Sequence, residues 1–288
     1  MFYPVSAYEG KKGLKVEFGI AVFTPSESRR LIARAVANMP EVKNALLNNI
    51  LIIARGVTNA FVAEEILGIK IDDKSRYTLG CITGGELTAN TGEDRMKPFV
   101  LVKGQKSDIS PREALKDFDG QSVYIKGANA VDMQGNAGIL MSNPDGGSIG
   151  EALPPLLARG SRLIVPVGLE KLVPSVIEAT PRCGIFHFKY STGLPVSMTP
   201  LVSALVVTEI QALKILCGLS AYHVASGGIG GSEGSVVLSV EGSPQELEVG
   251  FSLIKSIKGE PAIAGPAKTT ARASSFDYNT SAIWSALH

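Results

Sequence analysis

Three glycine-bearing stretches hold residues able to bind or move charge. Arg55-Gly56-Val57-Thr58-Asn59 follows the apolar run ILIIA at 50–54 and precedes AFVAEEIL. Backbone N–H groups at a helix start attract anions, Thr58 and Asn59 add side-chain hydrogen bonds, and Arg55 places a cation beside the turn. A second group runs from Lys126 through Asn129 and Asp132 to Gly146, Gly147, Ser148 and Glu151. A carboxylate in a partly buried cleft is pushed toward neutrality and can exchange protons near pH 7, while lysine offers a compact point charge for phosphate or carboxylate. Glu151 or Asp132 is therefore the expected acid/base. Lys126 or Lys171, the latter after LIVPVGLE, is expected to hold the substrate's negative charge. The plainer reading of the same residues is that Glu151 favours its helix N-terminus and Lys171 ends a strand in solvent. Gly84 and Gly85, in TGGE at 83–86, are expected to border the same crevice. The loop GGIGGSEG at 227–234 has no G-K-[ST] and lies between two strands, so it reads as a hairpin loop rather than a phosphate loop.

The elements that must position these residues alternate. LKVEFGIAVF at 14–23 reads as a strand, and Thr24-Pro25-Ser26-Glu27 opens a helix with a capping box and a proline at its first position. ILIIA is a short, fully apolar run of the kind buried on both faces of a parallel sheet. Further strands are expected at 76–83, 98–103, 122–126 and 162–167, a polar surface loop at 84–97, and a helix at about 149–158 closed by Gly160. Strand–helix alternation implies a layered α/β sheet, mainly parallel, over residues 1–184. Loops after buried strands converge at the carboxyl edge of such a sheet, which groups the candidate residues into one site. From 185 the order changes: IFHFK, a helix at 207–218, AYHVAS, SVVLSV, a helix from Ser243, and a last strand near 261–264. That β-α-β-β-α-β order predicts a smaller α+β, ferredoxin-like unit over 185–265. Residues 266–288 read as a tail whose apolar knot, Ile283-Trp284, docks on a domain.

Composition narrows the function classes. The 288 residues are 45% hydrophobic and 19% charged, which excludes a disordered chain. Basic and acidic residues number 28 and 27, a net charge of +1 without the electrostatic footprint of a nucleic-acid binder. Thirty-one glycines signal loops where backbone approaches a ligand. Cys81, Cys183 and Cys217 are far apart, with no histidine at ligand spacing, which argues for reduced thiols in a cytoplasmic chain and against a metal site. Met1-Phe2-Tyr3-Pro4 does not read as a secretory signal, and no apolar run is long enough for a membrane span.

VYIKGANAVD, GGSIGEA and LIVPVGLEK resemble, in order and spacing, the ribose-5-phosphate isomerase pattern, and ILIIARGVTNAFVAEEI looks like that family's phosphate turn. GANAVDMQGNAGI is similar to a run in CoA-transferase subunits. The resemblance is to the superfamily holding these enzymes, glucosamine-6-phosphate deaminase and sugar-phosphate-sensing repressors, and it covers about residues 45–175. It implies a phosphorylated sugar or CoA thioester as ligand. Two acidic positions of the isomerase pattern fall on Lys126 and Asn129, leaving Asp132. Pentose isomerisation needs a positioned carboxylate base, and CoA transfer a glutamate nucleophile that no stretch here displays.

Two readings follow. One is a cytoplasmic small-molecule enzyme, isomerase- or CoA-transferase-like, using no cofactor. The other is a non-catalytic ligand sensor or scaffold with the same cleft. Both expect a small anionic ligand and neither a nucleic-acid nor a membrane partner. The 221–261 region looks like a bacterial microcompartment shell repeat, which adds an expectation of homo-oligomerisation.

Overall fold

A run of capped helices and short apolar strands makes up the described part of the chain, residues 1–5 and 15–271 of a computed structural model. β1 (Glu17–Phe23) turns into α1 (Pro25–Asn38) at Thr24. The Thr24 hydroxyl accepts from the Glu27 N–H, and the Glu27 carboxylate accepts from the Thr24 N–H at 2.9 Å. Pro40 ends α1, holding Met39 extended, and begins α2 (Pro40–Asn48). β2 (Ile50–Ile53) leads to α3 (Val57–Leu67), closed by Gly68 in the left-handed conformation. β3 (Gly80–Thr83) and β4 (Glu86–Asn90) form a hairpin, followed by β5 (Phe99–Val102), β6 (Gln105–Ser107), α4 (Pro111–Ala114) and β7 (Val123–Ile125). Then come β8 (Ala130–Val131), β9 (Ala137–Met141), α5 (Gly147–Arg159), β10 (Arg162–Pro166) and α6 (Val176–Ala179). The chain continues through β11 (Ser197–Leu201), β12 (Leu205–Val207), α7 (Glu209–Cys217), β13 (Ser220–Gly227), β14 (Ser235–Gly242), α8 (Pro244–Ile257) and β15 (Thr269–Thr270).

The protein is mixed α/β, and its largest sheet has the strand order β12-β10-β7-β2-β5-β6. β12, β10, β7 and β2 are parallel, while β5 and β6 continue the sheet antiparallel. Its central strands carry apolar side chains on both faces, as burial from both sides requires. Leu51, Ile53, Val123 and Ile125 pack with Leu31 of α1, Phe61 of α3 and Leu213 of α7. Ile52, Tyr124 and Val165 pack on the opposite side with Ala114 of α4 and Ile149, Ala152 and Leu156 of α5. A second, antiparallel sheet, β1-β14-β13, turns Phe23, Val236, Leu238 and Val240 toward the first of these cores. Its outer face leaves Phe18 71% and Ile20 66% exposed. Two small sheets, β11-β9-β8 and β15-β4-β3, complete the described fold. Among the described residues no helix is long and apolar enough to cross a membrane.

Several local expectations change. IFHFK at 185–189 is a turn, not a strand, and residues 261–264 are not paired. The strand completing the β14 sheet is β1, registered from Glu17 opposite Gly242 to Phe23 opposite Val236. Seven consecutive pairs with Phe23 and Ala21 buried outweigh a five-residue run whose Ile185 alone is buried while Phe186 is exposed. The polar stretch 84–97, expected as a loop, contains β4. Most of the C-terminal tail, with Ile283 and Trp284, lies outside the described residues.

Candidate functional site

β2 and β7 are parallel neighbours, and the chain leaves them toward opposite sides of the sheet. After β2 it enters α3, which packs with α1; after β7 it passes through β8 and β9 to α5 on the other core. Divergent connections of this kind open a crevice at the carboxyl ends of adjacent strands, where open α/β sheets take their ligands. Arg55 and Gly56 follow the end of β2, and Lys126 and Gly127 follow the end of β7. Asn59, in the first turn of α3, ties the two strand ends together. Its Nδ2 donates to the Ala54 carbonyl at 2.7 Å and to the Ile125 carbonyl at 3.1 Å. Gly56 has φ 157° and ψ 148°, a backbone state open essentially to glycine alone, which turns the strand end into the helix.

The charges at this crevice are not balanced by carboxylates. Arg55 and Lys126 are both half-buried, and among the described residues neither forms an ion pair. Lys126 Nζ donates to the Arg55 carbonyl at a long 3.4 Å. Burial, with the Arg55 guanidinium acting in the same direction, pushes the Lys126 ammonium down to about 8. Burial also lowers Arg55, and Arg95 adds to the effect. Asn59 is fully buried, and among the described residues its Oδ1 has no hydrogen-bond partner. That oxygen lies toward Gly127, where an added methyl would come within 3.8 Å of it.

Two tyrosines border the same charges. Tyr77 is buried, donates to the Ile53 carbonyl and accepts from the Phe99 N–H at 3.2 Å. Tyr124 of β7 is buried on the opposite core; its hydroxyl is hydrogen-bonded to Ser148 in the first turn of α5 and lies within electrostatic reach of Arg55 and Glu151. Burial raises both phenols above their ordinary range. Arg55, Gly56, Asn59, Lys126, Ser148 and Glu151 are thus linked through Tyr124 and the two strand ends. Gly146 and Gly147, with φ 77° and 57°, shape the turn into α5.

Other candidates serve neighbouring structure. Asp132 is fully buried and accepts hydrogen bonds from the N–H groups of Gln134, Asn136 and Val176 and from Asn136 Nδ2, all at 2.9–3.0 Å. Burial works to raise its pKa, but the bonds from Asn136, Val176 and Gln134 outweigh it and hold the carboxyl below its usual range. Asn129 is exposed, and its Oδ1 accepts from the Leu140 N–H across the β8–β9 hairpin. Thr58 is buried in α3. Gly84 and Gly85 form the two-residue turn between β3 and β4, with φ 59° and 78°, the positive pair a type I′ turn demands. Lys171 donates to the Ala128 carbonyl at 3.0 Å. Burial lowers its pKa, opposed by Glu170 and Glu209; Glu170 also binds Arg29 at 2.8 Å. Glu209 is fully buried against the Leu169 N–H, and burial raises its carboxyl.

Sequence reasoning missed Tyr77, Tyr124 and Gly127. The available signal was Tyr124 itself, a polar-tipped ring inside the aliphatic run of β7, which must find a partner when buried. A cleft of about 880 Å³ lies elsewhere, beside Arg30, Glu64, Lys74 and Glu260. There Arg30 already pairs with Glu64, Glu65 and Glu260, and Lys74 with Glu64. Among the described residues no group of three or more His, Cys, Asp or Glu side chains is placed to hold a metal ion. Comparison with family models, with curated proteins and with solved structures finds no match.

Proposed function

We propose that this chain is a small-molecule enzyme acting on a phosphorylated sugar or CoA-thioester-type substrate, bound in the crevice between β2 and β7. One observation carries the reading: Arg55 and Lys126 are half-buried at adjacent strand ends with no carboxylate paired to either among the described residues. Removing two like charges from water without counter-ions is unfavourable, and an arriving anion relieves that cost. The N–H groups at the start of α3 contribute to the same attraction. In this reading the sheet has the isomerase/CoA-transferase-like arrangement that the motifs resemble.

A second reading, ligand sensing without turnover, is favoured by Asp132. Four hydrogen bonds occupy its carboxylate, so it is poorly suited to act as a base. Thermal-shift and calorimetric titration with sugar phosphates, CoA esters and nucleotides tests the site. A ligand at about 100 times its Kd stabilises the fold by about 2.7 kcal/mol. Arg55→Ala should abolish that gain. Absence of any anion-dependent stabilisation, or a gain unchanged in Arg55→Ala and Lys126→Met, overturns the assignment. Binding without turnover across both substrate classes selects the sensor.

A further inference from the structure

We propose that Lys126 is a nucleophile that forms an imine with the carbonyl carbon of a phosphorylated hydroxy-aldehyde or hydroxy-ketone while Arg55 holds the phosphate. The inference rests on the crevice assigned above and selects the sugar-phosphate class from the two considered there.

A lysine amine attacks a carbonyl only when unprotonated, and two arrangements favour that state: desolvation and a neighbouring cation. Lys126 has both. It is half-buried at the end of β7, it donates to a backbone carbonyl at 3.4 Å, and the charge acting on it is the Arg55 guanidinium. A carboxylate in Arg55's place would hold the proton on Lys126 and keep it inert. The guanidinium stays charged at any working pH, so the two cations divide the work: Arg55 remains the phosphate's counter-charge while Lys126 is free to lose its proton. With its ammonium held down to about 8, Lys126 presents roughly three hundredfold more free amine at neutral pH than an ordinary lysine.

A second observation names a further feature of the ligand. Asn59 Oδ1 is fully buried at the same strand ends and has no donor among the described residues; both hydrogen bonds of that side chain leave from Nδ2. A buried acceptor of this kind is costly until a donor reaches it. A substrate hydroxyl is such a donor. Phosphate, hydroxyl and carbonyl together define the proposed class. In the reaction the Nζ lone pair attacks the carbonyl carbon, and the carbonyl π electrons move to oxygen. A proton passes from nitrogen to that oxygen to give the carbinolamine. Loss of the hydroxyl as water, with the second amine proton, leaves the C=N bond. The balance is amine plus carbonyl giving imine plus water.

The test treats the full chain with pyridoxal 5′-phosphate, which carries an aldehyde and a phosphate, and separately with dihydroxyacetone phosphate. Each mixture is reduced with borohydride, digested and mapped by mass spectrometry, alongside calorimetry with both probes. The expected result is preferential labelling of Lys126 over the other lysines, increasing as pH rises toward 8. Lys126→Arg should lose that label. Arg55→Gln should weaken capture of pyridoxal 5′-phosphate about tenfold or more but leave capture of phosphate-free pyridoxal little changed. If the probes bind and Lys126 is labelled no faster than surface lysines, the nucleophile is refuted and the anion site stands. If there is neither binding nor preferential labelling, both proposals fall. The wild-type labelling map decides the matter even if a variant fails to fold.

Discussion

Replacing Lys126 with methionine keeps an unbranched side chain one atom shorter and removes its charge, and the variant should be more stable than the natural chain at neutral pH. Lys126 moves from an ordinary 10.5 to about 8 on folding. At about 1.4 kcal/mol per unit, that displacement sets an upper value of about 3 kcal/mol, and local relaxation leaves about 1–3 kcal/mol. The direction with pH is equally specific. Between about 8 and 10.5 the unfolded chain holds the Lys126 proton and the folded chain has lost it, so natural stability rises with pH across that window. Below about pH 8 the fold bears the whole penalty; above about 10.5 it bears none. Lys126→Met should therefore show its full gain at pH 7, a smaller gain at pH 9, and by pH 10.5 only the constant contribution of an added apolar side chain. Urea unfolding followed by circular dichroism at these pH values measures it, with the slope against denaturant unchanged. A variant less stable than the natural chain at pH 7, or a gain that does not shrink with pH, would refute the reasoning about Lys126.

Three further outcomes are expected. Asp132→Asn places an amide donor among four donors and should destabilise by about 2–4 kcal/mol in thermal unfolding; the natural carboxylate's contribution is present above pH 3.8 and fades as pH falls through its lowered folded value. Glu209 titrates the other way: its raised folded pKa makes the natural chain lose stability as pH rises through and beyond 4.5, so Glu209→Gln should gain at pH 7 and show no such gain at pH 4, by the same urea assay. Gly150→Ala brings a methyl to 2.4 Å from the Asp145 carbonyl oxygen and should cost about 1–3 kcal/mol, read as a lower urea midpoint.

Local chemistry was legible in the sequence and long-range pairing was not. Thr24-Pro25-Ser26-Glu27 announces the start of α1 because every partner in the capping box lies within four residues. The strand, glycine turn and helix that carry Arg55, Gly56 and Asn59 are legible for the same reason, since they follow one another at once in the chain. The alliance of β1 with β14 joins residues more than two hundred positions apart, and nothing in IFHFK records that a better partner for β14 exists at the other end of the chain. Asp132 shows the matching limit for sites. A carboxylate after a strand looks the same whether it serves a reaction or a turn, and only the converging N–H groups of Gln134, Asn136 and Val176 assign it to the turn. Gly84 and Gly85 carry the same ambiguity, since two positive φ values serve a hairpin as well as a ligand loop.

What separates the crevice from the other charged regions is the sign of what surrounds it. Arg30 is enclosed by Glu64, Glu65 and Glu260, and Arg29 with Lys171 by Glu170 and Glu209. Around Arg30 opposite charge outweighs burial, while around Lys171 Glu170 and Glu209 oppose its effect. Arg55 and Lys126 are half-buried at adjacent strand ends, where the Arg55 guanidinium depresses the Lys126 ammonium and Arg95 depresses Arg55. A fold selected for stability alone would place a carboxylate there or an apolar side chain, because either removes the penalty. Two cations retained at the strand ends where α3 and α5 diverge are the kind of conflict between stability and function that a working site shows, and under the proposed function an anion supplied from solution resolves it.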